Sequence, residues 1–187
     1  MSAHDWLRQM PWPTKAMDRK ELETLIERLL TRINMGVVST LDENGDVNAA
    51  PLEFHADGLN IYIYPQPGSS KLANIKRNPD NIAFTTNMPY YSWASSEGVQ
   101  MKMRAAVLQA GTPEHSHGLD IFKWQFTAVE LGRDPTIKPT GEVVLLQPKR
   151  IQYTAHWLRK DGYAPRQIWT ENSEQVDIWR PQFATAK

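Results

Sequence analysis

Leu59-Asn60-Ile61-Tyr62-Ile63-Tyr64 leads into Pro65-Gln66-Pro67-Gly68-Ser69-Ser70-Lys71 and then Leu72-Ala73-Asn74-Ile75-Lys76-Arg77-Asn78-Pro79. The run reads as a strand, a Pro/Gly-rich turn, and a short helix that opens on Ser-Ser-Lys and stops at Asn-Pro. The first turn of a helix carries backbone N–H groups without intrahelical partners and the positive end of the peptide dipoles, so it suits an anion. Two hydroxyls and an ammonium at that spot add three donors. The chemistry this suits best is a phosphate monoester, the tail of a nucleotide-like cofactor. A serine there is more often a plain helix cap, and a lysine a solvated charge. The neighbouring segments decide between the two.

Upstream, Asp18-Arg19-Lys20-Glu21 is a helix start with Asp at the cap and Glu three residues on. Leu22, Leu25, Ile26, Leu29, Leu30 and Ile33 then recur at helical spacing on one face. Gly36 to Leu41 is a strand, Asp42-Glu43-Asn44-Gly45-Asp46 a hairpin turn with Asn-Gly at its tip, and Val47 to Pro51 the returning strand, extended through His55. Ala56-Asp57-Gly58 turns the chain into the strand from Leu59.

Downstream, Ile82 to Thr86 is a strand, and Val99 to Leu108 alternates long polar with apolar residues before becoming fully apolar. Thr112-Pro113-Glu114 opens a helical region that runs with interruptions to Leu131-Gly132. Val143 to Leu146 and Ile151 to Ala155 read as two strands joined by Gln147-Pro148-Lys149-Arg150. Hairpin connections make the sheet antiparallel, and six or seven short alternating strands favour a barrel or sandwich. A doubly wound parallel sheet needs a helix after nearly every strand, and this order lacks it.

The chain has 187 residues, enough for one domain with a real core. Lysine plus arginine and aspartate plus glutamate both number 21, giving no net charge, which argues against nucleic acid as a partner. Cysteine is absent, so disulfides, thiolate metal sites and cysteine nucleophiles are excluded. No apolar run is long enough for a membrane helix, no signal peptide is visible, and a cytoplasmic location is the expectation. Trp157, Trp169 and Trp179 imply that the C-terminal segment packs onto the rest.

The run from Met35 to Thr86 resembles the pyridoxamine 5′-phosphate oxidase-like family, the FMN-binding split β-barrels. The matching pieces come in order. They are the Asn-Gly hairpin, Asn48-Ala49-Ala50-Pro51 closing the second strand, Ile61-Tyr62-Ile63-Tyr64, and Ser69-Ser70-Lys71 with Asn78-Pro79. Val99-Gln100-Met101-Lys102-Met103 resembles the later strand that meets the flavin. The resemblance implies a mainly β chain with flanking helices, an antiparallel split β-barrel of about six strands. As a single domain over residues 1–187, it has an arm and helix at 1–34, the barrel at 35–156 and a tail at 157–187.

It also implies a homodimer with FMN at the subunit interface. Ser69, Ser70 and Lys71 would hold the phosphate below Tyr64. Asn48, Ala49, Ala50 and Pro51 would lie along the ring and ribityl chain, and Gln100 and Lys102 would reach the cofactor from the other strand. The chain departs from the oxidases at Asn48 and Ser70, where they carry arginine. It departs again at Pro65, where many members have threonine, and at Ala105, where they have glycine. The C-terminal Arg-Leu motif of the oxidases has no counterpart. FMN binding survives these changes better than the oxidase reaction does.

Two function classes therefore stand. One is an FMN-dependent oxidoreductase acting on a small substrate, with a reduced nicotinamide as possible donor and no side chain named as catalyst. The other is a non-enzymatic flavin or haem binder on the same scaffold. Deazaflavin and haem are the alternative cofactors. His115 and His117, near Glu114 and Asp120, have the wrong spacing for a helical metal pair and read as a surface histidine pair, so no metal is expected. His55, His115, His117 and His156 keep haem ligation open. Tyr90-Tyr91-Ser92-Trp93 reads first as rim packing and second as an aromatic lid.

Overall fold

The computed structural model describes residues 13–90 and 92–180. The Pro11-Trp12 part of the N-terminal arm, Tyr91 of the aromatic loop, and residues 181–187 lie outside the described residues. Helix α1 spans Arg19–Arg32, and the Asp18 carboxylate accepts the Lys20 and Glu21 amides at 2.9 and 3.3 Å. Leu22, Ile26, Leu29 and Leu30 are its buried face, with Leu25 and Ile33 packed at the margin.

β1 (Met35–Leu41) and β2 (Val47–Glu53) form the predicted hairpin. Its turn is closed by the Asp42 carboxylate, which accepts the Asn44 and Asp46 amides, while Gly45 takes the left-handed conformation at φ 86°. The remaining strands are β3 (His55–Asp57), β4 (Asn60–Ile63), β5 (Ile82–Asn87), β6 (Glu97–Leu108), β7 (Val143–Ala155), β8 (Arg166–Thr170) and β9 (Asp177–Ile178). Every pair is antiparallel, in the order β2-β1-β5-β6-β7-β4-β3, with β8 and then β9 added beside β7. β2 and β3 are consecutive in sequence yet stand at opposite ends of this path and are not neighbours in it. That gap is the split in the barrel.

Among the described residues nine strands replace the expected six or so. Phe54, fully buried, leaves the β2 ladder to donate its amide to the Asn34 carbonyl, so the extended run to His55 becomes two strands. The C-terminal segment supplies β8 and β9. Trp169 of β8 is buried, and its indole N–H donates to Glu23 of α1 at 2.7 Å. The two strands expected around Pro148 are one continuous β7. The β6–β7 register jumps at Lys102/Met103, pairing Lys102 with Arg150 and Met103 with Pro148, so Lys149 is the bulged residue. A bulge is how a central strand accommodates a proline that cannot donate to the ladder.

The core fills the space between α1 and the curled sheet, with Phe54 and Phe84 meeting edge-on at 4.9 Å between ring centres. Helix α2 (Ser70–Arg77) is pinned to β1 through Asn74, whose buried amide donates to the Thr40 hydroxyl at 3.2 Å. Helices α3 (Pro113–Phe122) and α4 (Trp124–Glu130) fill the connection from β6 to β7, separated by Lys123 at φ 54°. At Gly118 an added Cβ would meet Val143 at 2.8 Å and Tyr62 at 3.2 Å. The missing side chain is what lets α3 lie flat on β4 and β7. Among the described residues no helix is long and apolar enough to cross a membrane.

Candidate functional site

Ser69 is the cap of α2; its hydroxyl accepts the Leu72 amide at 3.4 Å, and Ser69 N–H is used by the Gln66 carbonyl. The Ser70 and Lys71 amides are left over, because a first helical turn has no carbonyl to receive them. The Ser70 hydroxyl and the Lys71 ammonium likewise make no hydrogen bond or ion pair among the described residues. Lys71 is half-buried, and its pKa is lowered by desolvation. A partly desolvated ammonium beside two amides without protein acceptors offers its donors to an anion. The residues present therefore fit a phosphate.

Lys71 borders a cleft of about 980 Å³, within the size range of small-molecule sites. One wall is the end of β2 (Leu52, Glu53) and the β4 exit (Tyr64 to Pro67). The other is α3, α4 and residues 131–141. A single residue ties the walls together: the Gly141 amide donates across the cleft to the Tyr64 hydroxyl at 3.0 Å, and its carbonyl lies 2.7 Å from Nε2 of His115 on its own wall. A carbonyl only accepts, so Nε2 of His115 carries the proton. His115 is 2% exposed. This corrects the expected surface pair: the first turn of α3 turns His115 inward, and only His117 faces solvent, 3.3 Å from Asp57.

The strand residues named from sequence fall elsewhere. Across the sheet Pro51 stands opposite Val37, Val37 opposite Thr85, and Thr85 opposite Gln100. A second row runs Ala49, Ser39, Ala83, Lys102. Directly opposed residues share a face, so Ala49, Pro51, Gln100 and Lys102 lie on one face, the outer one, where Gln100 and Lys102 are exposed. Asn48 and Ala50 stand opposite Thr40 and Val38, on the inner face. Gln100 lies three strand spacings from Pro51, roughly 14 Å along the sheet. Gln100 borders a second concavity of about 440 Å³, with Thr85, Asn87, Tyr90, Thr154 and Arg166, and its amide oxygen is 3.5 Å from Gln152 Nε2. Within one chain, then, Lys71 and Tyr64 share a cleft, and Gln100 and Lys102 do not join them.

The sequence reading missed the second wall. Phe122, Trp124 and Leu131 line the cleft from a segment read only as an interrupted helix, and Ile137 from the loop after it. The signal was the length of the connection between β6 and β7, too long for a hairpin. Glu53 was also missed; it lines the cleft and sits 3.1 Å from His55 Nε2.

Trp93 packs on the buried His156, ring centres 3.8 Å apart, with the Arg159 guanidinium above it. Of the aromatic loop, Tyr90 lines the smaller concavity and Trp93 is rim packing. The His156 pKa is lowered to about 4 by burial, with Arg166 and Arg159 adding repulsion. Nδ1 of His156 is buried without a hydrogen bond. Haem fits this ring poorly, since Nδ1 would have to reach a haem iron in the ring plane and is itself buried, while His55 and His115 are engaged by Glu53 and the Gly141 carbonyl. Among the described residues no group of three or more metal-ligating side chains gathers.

Residues 22–155 match the pyridoxamine 5′-phosphate oxidase family, and the chain belongs to it. No curated protein matches in sequence. The fold recurs in solved structures. ChuZ of Campylobacter jejuni aligns over 91% of this chain and 74% of its own at 18% identity, with a TM-score of 0.66. A pyridoxamine 5′-phosphate oxidase-related, FMN-binding protein of Nostoc punctiforme aligns over 90% of this chain and 100% of its own at 16% identity, TM-score 0.59. HutZ, a haem storage protein of Vibrio cholerae, covers 70% of this chain and 89% of its own at 11% identity, TM-score 0.53. At these identities the likeness is one of fold.

Proposed function

We propose that this chain binds FMN as a homodimer, with the cofactor at the subunit interface, and is an oxidoreductase acting on a small substrate. The observation that carries the reading is the set of unused donors at the start of α2, the Ser70 and Lys71 amides, the Ser70 hydroxyl and the Lys71 ammonium, with Lys71 bordering a large cleft. Ser69 completes this corner as the cap that fixes the helix start. A dianionic phosphate satisfies these groups together.

Support for a partner subunit comes from the register. Ala49, Pro51, Gln100 and Lys102 share an outer face and none of them lines the Lys71 cleft, so a second copy of the chain would bring that face to the phosphate seat. Bound FMN supplies the electron-accepting ring, so no side chain is required as the catalyst. Lys71 neutralises the phosphate, and Tyr64 holds Gly141 so that the cleft keeps its far wall.

A visible spectrum of the purified protein tests the reading. Flavin bands at one cofactor per subunit are expected, and reduction by NADH or NADPH without oxygen identifies an enzyme rather than a binder. A Soret band in place of the flavin bands selects the haem alternative, and a non-reducible flavin selects the non-enzymatic one. A colourless protein that takes up neither contradicts both.

A further inference from the structure

The large cleft is chemically lopsided in a way a phosphate seat does not account for. Its lining away from Lys71 is largely apolar, with Phe122 and Trp124 buried at its base and Leu131 and Ile137 exposed at its edge. Two cations stand on its far rim, Arg133 and Lys138. Neither makes a side-chain hydrogen bond or ion pair among the described residues. The two acids of the same lining are occupied. Glu53 faces His55 at 3.1 Å, and Asp134 accepts both the amide and the hydroxyl of Thr136, at 2.8 and 2.7 Å. Thr136 is neutral and leaves Asp134 its charge, so the lining carries Lys71, Arg133 and Lys138 against Glu53 and Asp134, a net positive cleft whose rim cations have no carboxylate partner among the described residues.

We propose that the cleft binds, beside the cofactor, an organic anion with an apolar body. The body lies against Phe122, Trp124 and Ile137, and the anionic head meets Arg133 and Lys138. Charge complementarity selects the class. A neutral apolar molecule leaves both rim cations unused, whereas a polar anion such as free phosphate wastes the apolar lining. Gly141, held by Tyr64 and His115, fixes the end of the rim segment, so the head-group site is braced where it rejoins β7. This names the substrate class of the proposed flavoprotein; it rests on that reading only in reserving Lys71 for the cofactor.

Isothermal titration of the full chain with 2-naphthoate and with its neutral analogue 2-naphthalenemethanol tests it. Naphthoate is expected to bind about tenfold or more tightly than the alcohol, the usual scale for a hydrogen bond to a charged group. The double variant R133A/K138A, changed at two exposed side chains, should lose that advantage while its affinities for the alcohol and for FMN stay unchanged. Equal binding of acid and alcohol by the wild type overturns the proposal, as does an unchanged naphthoate affinity in the double variant. A wild type that prefers naphthoate yet takes up no FMN sinks the cofactor reading and leaves this one standing.

Discussion

Tyr64 and Gly141 lie 77 residues apart and are joined by one hydrogen bond, in which the glycine amide donates to the phenol at 3.0 Å. A Cβ built on Gly141 would come 2.2 Å from that hydroxyl and 2.8 Å from the ring carbon bearing it. Gly141→Ala is therefore expected to push the rim segment off Tyr64 and to destabilise the fold by about 1–3 kcal/mol, the range for an overpacked site. Thermal unfolding and limited proteolysis within residues 131–141 check this. An unchanged melting temperature and digestion pattern would mean the two walls are not locked together.

His115 holds the carbonyl of the same residue. Truncating it to alanine leaves the Gly141 carbonyl without its donor, which should cost about 1–3 kcal/mol in urea unfolding. His115→Asn, which keeps an N–H donor, should recover part of the loss. Equal losses in the two variants would point to packing rather than to the hydrogen bond.

His156 makes stability depend on pH. Its folded pKa, about 4, lies below the value of 6.5 it has when exposed, so between the two the unfolded chain binds more protons than the folded one. Its contribution is present above about pH 6.5 and is lost as pH falls towards 4. The urea midpoint should thus rise from pH 4.5 to pH 7, and in His156→Gln the rise should flatten. A variant with the wild-type slope would show that other groups set it.

The outer face of the β2 edge should carry the dimer contact. Ala49→Glu places a carboxylate in the row shared with Ser39, Ala83 and Lys102 and should shift the mass in analytical ultracentrifugation towards the monomer. A wild type that is monomeric at every concentration would remove the interface from the account.

Local signals explain what was legible in the chain. The Asp18 cap, the apolar face of α1, the Asn44-Gly45 turn and the Ser69 cap depend on neighbours within a few residues, and each formed as the pattern dictates. The register of β6, with Met101 inward and Gln100 and Lys102 outward, was likewise written in its alternation. What escaped depends on distant partners. Pro148 stays within β7 only because a bulge at Lys149 absorbs it, and His115 turns inward only because Gly141 arrives from a remote loop. Phe122, Trp124 and Ile137 form a wall only against the end of β2 and the β4 exit, which are far from them in sequence.

The central claim is that Lys71 and the free amides beside it seat a phosphate, and FMN titration of wild type against Lys71→Ala tests it most directly. The account predicts saturable binding by the wild type and a loss of about 1.5–3 kcal/mol in the variant, whose melting temperature without FMN should stay near that of the wild type because Lys71 makes no contact the fold needs. An FMN dissociation constant unchanged by the substitution, in a folded variant, would contradict it.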